Sequence, residues 1–121
     1  MDLKKRVKEQ IKLIENGKPL VAFAQYFSDR VIMRNNDKNF ASNKAEGMKK
    51  QSQFFNTISS FEAKVFHLVI EKDISTMTID YNFIDTKKRS VKFQGIHKQK
   101  WKNDLIIEEH FYTNEYLNQI D

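Results

Sequence analysis

The chain has no cysteine. That excludes disulfide staples, thiol nucleophiles and thiolate metal sites together, and it fits a reducing compartment. Proline occurs once and glycine three times, too rarely for a disordered or loop-built chain. No apolar run approaches the roughly 18 residues that a membrane span requires. No apolar stretch follows the charges of Met1-Asp2-Leu3-Lys4-Lys5-Arg6, so a secretory leader is not expected and a cytoplasmic location without membrane contact is. His67, His97 and His110 lack metal-ligand spacing. Gly17, Gly47 and Gly95 form no phosphate-cradling loop, and no glycine-flanked serine elbow occurs. Neither a metal nor a cofactor is expected.

What the chain has in excess is phenylalanine, ten in 121 residues. Those rings need a core or an aromatic-lined pocket. One domain over residues 1–121 is expected at this length. The net charge of +5 raises the question of nucleic acid. The lysines, however, are spread over several segments with acidic residues between them, a pattern of solvated faces that argues against a nucleic-acid partner.

Leu3, Val7, Ile11 and Ile14 recur at helical spacing, and Asn16-Gly17 closes that helix. Lys18-Pro19 opens a second one with Leu20, Phe23, Ala24 and Phe27 on its apolar face. Val31-Ile32-Met33 reads as a short strand and the polar stretch from Asn35 to Ser42 as a loop. Asn43 with Glu46 caps a third helix carrying Met48, Phe55 and Ile58 inward. From Phe61 the period changes to two. Val65 to Ile70 is apolar on both faces, as in a central or doubly covered strand. Met77, Ile79, Tyr81 and Phe83 alternate with polar residues. Val91, Phe93, Gly95, His97, Gln99 and Trp101 share the next inner face, where Gly95 suggests a bend or bulge. Asn103-Asp104 marks a hairpin into a last strand from Leu105 to Thr113. The fold class is α+β: helices first, then a curved antiparallel sheet.

Three segments carry a family resemblance: Ala24-Gln25-Tyr26-Phe27-Ser28-Asp29-Arg30-Val31, Ala45-Glu46-Gly47, and the hairpin Lys100-Trp101-Lys102-Asn103-Asp104-Leu105 running on to Tyr112. In this order they resemble the NTF2-like superfamily, in its SnoaL-like and ketosteroid-isomerase-like branch. The resemblance implies a cone, with helices closing over a bent sheet to leave a pocket, and a homodimer through the outer sheet face. It also implies either cofactor-free cyclase, isomerase or dehydratase chemistry on a small apolar, carbonyl-containing ligand, or a non-catalytic binding or interaction module. The isomerase base aligns with Arg34 or Asn35, neither a proton acceptor at neutral pH, which weighs against isomerase chemistry.

Cyclase-like relatives place a histidine and a carboxylate on the last two strands, and here the resemblance puts His97 and Glu109 in that role. Glu109 shares parity with Leu105, Ile107 and Phe111. The alternatives are a structural histidine at 97 and a one-residue register shift that turns Glu108 inward instead. Tyr26, Arg34, Tyr81, Phe93, Trp101 and Phe111 complete the expected ligand-binding set. Tyr26 is open to a second reading as a core ring, and the other aromatics to packing. His67 and His110 are expected on structural or outer-face positions.

Overall fold

The computed structural model describes residues 2–113. Its elements run α1 (Leu3–Glu15), α2 (Pro19–Tyr26), β1 (Phe27–Asn35), β2 (Lys38–Ala41), α3 (Lys44–Phe55), β3 (Ile58–Glu71), β4 (Ile74–Asp85), β5 (Ser90–Lys102) and β6 (Leu105–Thr113). The six strands form one sheet in the order β2-β1-β6-β5-β4-β3. Every neighbouring pair is antiparallel except β1 and β6, which run parallel. The helices pack on the inner face, and the fold is α+β.

Local chemistry explains the helix ends. The Asp2 carboxylate accepts from the Lys5 amide at the start of α1. At the other end Gly17 takes φ +78, and the Lys18 amide reaches the Leu13 carbonyl. Pro19 begins α2 without a side-chain cap. Asn43 Oδ1 accepts from the Glu46 amide at 2.8 Å, and the Glu46 carboxylate accepts in return from the Ser42 amide. Replacing Asn43 by alanine is expected to cost about 1 kcal/mol in a urea titration; an unchanged midpoint would remove the cap from the account of why α3 starts there.

Three boundaries differ from the expectation. α3 ends at Phe55, and Ile58, expected on its inward side, opens β3. α2 ends at Tyr26, and Phe27 already belongs to β1, with extended backbone. The stretch read as a loop from Asn35 holds β2, joined to β1 through Asn36 and Asp37 at φ 50 and 67. Both residues take the left-handed conformation of a tight two-residue hairpin. Asn103 and Asp104, at φ 52 and 68, make the same turn between β5 and β6.

β3 is an edge strand, not the central or doubly covered one its apolar run suggested. Its pairing to β4 breaks between Phe66 and Val69 around His67, whose φ is +52, and Val69 is 54% exposed. A bulge of this kind blunts an edge against further pairing. At the same edge the Val65 amide donates to the Glu15 carboxylate of α1 at 2.8 Å.

The core joins Val7 and Ile14 of α1, Ala22, Phe23 and Tyr26 of α2, and the inward residues Val31, Met33, Met77, Ile79, Trp101 and Ile106 of the sheet. Among the described residues no helix is long and apolar enough to cross a membrane.

Candidate functional site

Register decides which side chains reach the interior. On β5 the alternation is regular, and Gly95, Gln99 and Trp101 are buried with His97 beside them. On β6 it is not regular. Lys100 faces Glu108, but Trp101 faces Ile106, so Ile107 is an extra residue between them. The bulge turns Ile106 inward beside Trp101 and Glu109 inward beside Gln99. The parity expected from Leu105 and Ile107 is thus wrong for those two residues, while Glu109 and Phe111 share the inner face.

His97 and Glu109 meet inside. His97 Nδ1 lies 3.1 Å from Glu109 Oε2, and the Gln99 amide donates to the same oxygen at 2.7 Å. On the other side of the ring, Tyr81 Oη lies 2.7 Å from His97 Nε2. Behind Gln99, the Trp101 indole donates to Ser75 Oγ at 2.9 Å, and that hydroxyl reaches Gln99 Oε1 at 3.5 Å. Burial drives the Glu109 carboxyl upward, but the His97 charge and the bonds from His97 and Gln99 outweigh it and hold the pKa below the ordinary value. Burial, with the nearby Glu109 charge, pushes the Tyr81 phenol up. A buried carboxylate therefore stands bonded to an imidazole, and a neutral phenol stands bonded to that ring's far nitrogen.

Two adjoining compartments border this network, one toward α1 (inner) and one toward α3 (outer). The inner one holds about 100 Å³ and is lined by Gln10, Ile14, Ala22, Phe23 and Met77 together with His97, Gln99 and Glu109. The outer one holds about 310 Å³ among Phe54, Phe55, Phe61, Phe83, Phe93 and Phe111, with Met33, Asn35 and Lys50 toward β1 and α3. Gln51, Phe55, Phe61, Tyr81, His97 and Glu109 line both. Seven of the ten phenylalanines line the outer space.

Several expected lining residues stand elsewhere. Arg34 is exposed, and its register partner His110 lies on the outer face with Tyr112, so the strand carries Arg34 away from the cavity; Asn35 faces in instead. Tyr26 and Trp101 are each 2% exposed and line neither compartment. They pack edge to face, with Arg6 over the Tyr26 ring. Tyr81, Phe93 and Phe111 do line the cavity.

Sequence reasoning gave no site role to several polar lining residues, Gln51 and Lys50 among them. Gln99 was visible on the inner face but was not given a role. Gln10, on the α1 stripe with Val7 and Ile14, is 1% exposed and lines the inner compartment. Its signal was a polar residue three positions from Val7 and four from Ile14. Gly95 also has a different use from the bend expected of it. It pairs regularly with Ile79 and Thr113, and a Cβ there would stand 2.5 Å from the Phe111 ring. Among the described residues no group of three or more acidic or histidine side chains is placed to hold a metal ion.

No protein-family profile matches the sequence, and no curated protein matches it. Solved structures do. A proposed SnoaL-like polyketide cyclase from Mesorhizobium loti superposes with a TM-score of 0.80 at 16% identity, over 93% of this chain and 99% of its own. An NTF2-like protein of unknown function from Burkholderia pseudomallei gives 0.79 at 9% identity over 96% of each chain. An LEH-like epoxide hydrolase from M. tuberculosis gives 0.76 at 11% identity, over 94% of this chain and 84% of its own. Likeness at such low identity speaks to architecture and leaves chemistry to the site. The chain thus has the fold of these SnoaL-like and NTF2-like structures.

Proposed function

We propose that the cavity binds a small, mostly apolar carbonyl compound and performs cofactor-free acid–base chemistry on it. The carrying observation is the bonded series Glu109–His97–Tyr81 at the junction of the two compartments. The outer compartment has the size and aromatic lining of a site for one or two fused rings. Glu109 Oε2 takes both hydrogen bonds, which leaves Oε1 free to accept a proton from carbon. Its lowered pKa keeps it in the accepting form at neutral pH. When His97 carries both protons, Nε2–H donates to Tyr81 and the phenol proton is free for the ligand's carbonyl oxygen. Removal of an α-proton by Glu109 would then coincide with a hydrogen bond to the developing enolate oxygen.

The SnoaL-like cyclase among the structural neighbours is compatible with this class of reaction. The test uses 2-tetralone, a carbonyl compound with acidic α-protons, in deuterium oxide with loss of the α-proton signal followed by NMR. The protein is expected to accelerate exchange over buffer, and Glu109→Gln to reduce the protein-dependent rate by about a hundredfold or more. Binding of 2-tetralone without acceleration would overturn the catalytic reading and leave a ligand-binding pocket.

A further inference from the structure

The inner compartment holds a feature that packing does not explain. α1 buries three residues, Val7, Gln10 and Ile14. The outer two are apolar, as a core stripe requires; the middle one is an amide. Among the described residues the Gln10 side-chain oxygen, Oε1, is buried without a hydrogen-bond partner. An apolar residue of the same length would be the more stable choice, because an unpaired buried polar group carries its full desolvation penalty. A place where local stability loses in this way is a mark of a site.

The rest of the wall sharpens what would fit. His97 has both ring nitrogens engaged, one by Glu109 and one by Tyr81. Glu109 has one oxygen doubly used and the other unbonded. Around them stand Ile14, Ala22, Phe23, Phe27 and Met77, which offer no polar atoms from their side chains. With the Gln51 amide and the Tyr81 phenol also on its lining, the compartment of about 100 Å³ presents a carboxylate oxygen and the Gln10 carboxamide in a mostly apolar surround. A carboxylate or ether oxygen would meet the Glu109 charge. A hydroxyl can donate to that oxygen and pair with the amide at the same time.

We propose that the inner compartment is a hydroxyl subsite, in which Gln10 and the unbonded oxygen of Glu109 hold the polar end of a ligand whose ring body occupies the outer compartment. The inference deepens the pocket reading and rests on it. The ligand class becomes a cyclic carbonyl compound that also carries a hydroxyl, placed toward Gln10. Gln10 is a specificity residue in this arrangement; Glu109 serves both ends.

The experiment compares 2-naphthol with 2-methoxynaphthalene by calorimetry, on the native protein and on Gln10→Met. The native protein is expected to bind the naphthol about tenfold more tightly, the worth of one buried hydrogen bond. Gln10→Met should abolish that preference while retaining affinity for the methoxy compound. Its melting temperature without ligand should be unchanged or higher, since the variant removes a buried oxygen that has no partner; a merely structural glutamine would lower it. Equal affinities on the native protein would overturn the subsite and spare the pocket, as would a preference that persists in Gln10→Met. Binding of neither compound would overturn both. The comparison on the native protein decides the matter even if the variant fails to fold.

Discussion

Glu109→Ala is expected to reduce the free energy of unfolding by about 3–5 kcal/mol, the range seen when one partner of a buried charged pair is removed. The reason is what stays behind. The Gln99 amide, 1% exposed, loses the acceptor it holds at 2.7 Å, and His97 Nδ1 loses the one at 3.1 Å. Both then lack that acceptor in a largely buried wall, which carries a desolvation cost. Trp101, the only tryptophan and 2% exposed, reports unfolding in urea through its emission. Glu109→Gln keeps the shape and one acceptor and should cost clearly less.

Acid supplies the second arm of that measurement. The folded-state pKa of Glu109 lies below its ordinary value of 4.5. Its ionised form therefore adds stability that is fully present above that value and is lost as pH falls through the folded one. The native protein should lose stability more steeply than Glu109→Gln below about pH 5. Identical acid slopes would show that the pair contributes nothing to folding.

Gly95→Ala is expected to cost about 2 kcal/mol, an overpacking effect from a single methyl group. The added Cβ would stand 2.5 Å from one ring carbon of Phe111 and 3.3 Å from a ring carbon of Tyr81. Neither ring can yield freely. Phe111 lies against His97 with centroids 4.5 Å apart, and Tyr81 stacks on Phe93 at 5.0 Å. Displacing Phe111 would push it into the outer compartment, so affinity for an aromatic probe such as 2-methoxynaphthalene should fall with stability. Phe111→Leu in the same chain should recover part of the loss, and the coupling in a double-mutant cycle should exceed about 0.5 kcal/mol. Strict additivity would show that the methyl group strains the backbone and not the ring.

Most of the order of elements was legible because the hydrophobic period is helical in α1, α2 and α3 and alternating from Phe61 on. Turn chemistry was legible only where its surroundings agreed. The same dipeptide, Asn-Asp, turns the chain at 36–37 and at 103–104. The second lies between clearly alternating strands; the first leads into Lys38 and Asn39, which offer no apolar alternation, and β2 went unseen. β3 misled for the opposite reason, since an apolar run does not say whether a sheet continues on its other side. The site was partly legible through the parity of His97. Glu109 faces inward by way of a bulge at Ile107, and nothing in Leu105-Ile106-Ile107-Glu108 marks which residue the ladder will skip. Gln10 passed as an ordinary helical residue because its isolation exists only once the sheet has closed around it.

The row of groups behind the cavity also has a direction. An indole nitrogen can only donate, so Ser75 Oγ must accept from Trp101 and pass its own proton toward Gln99 Oε1. That orients the carboxamide, whose nitrogen must then face Glu109. The carboxylate accepts on that side and accepts again from His97 Nδ1, which leaves Nε2 as the nitrogen that answers to Tyr81. The tryptophan thereby fixes which end of the Gln99 amide faces Glu109, while the carboxylate, an acceptor only, fixes Nδ1–H as the donor on the imidazole.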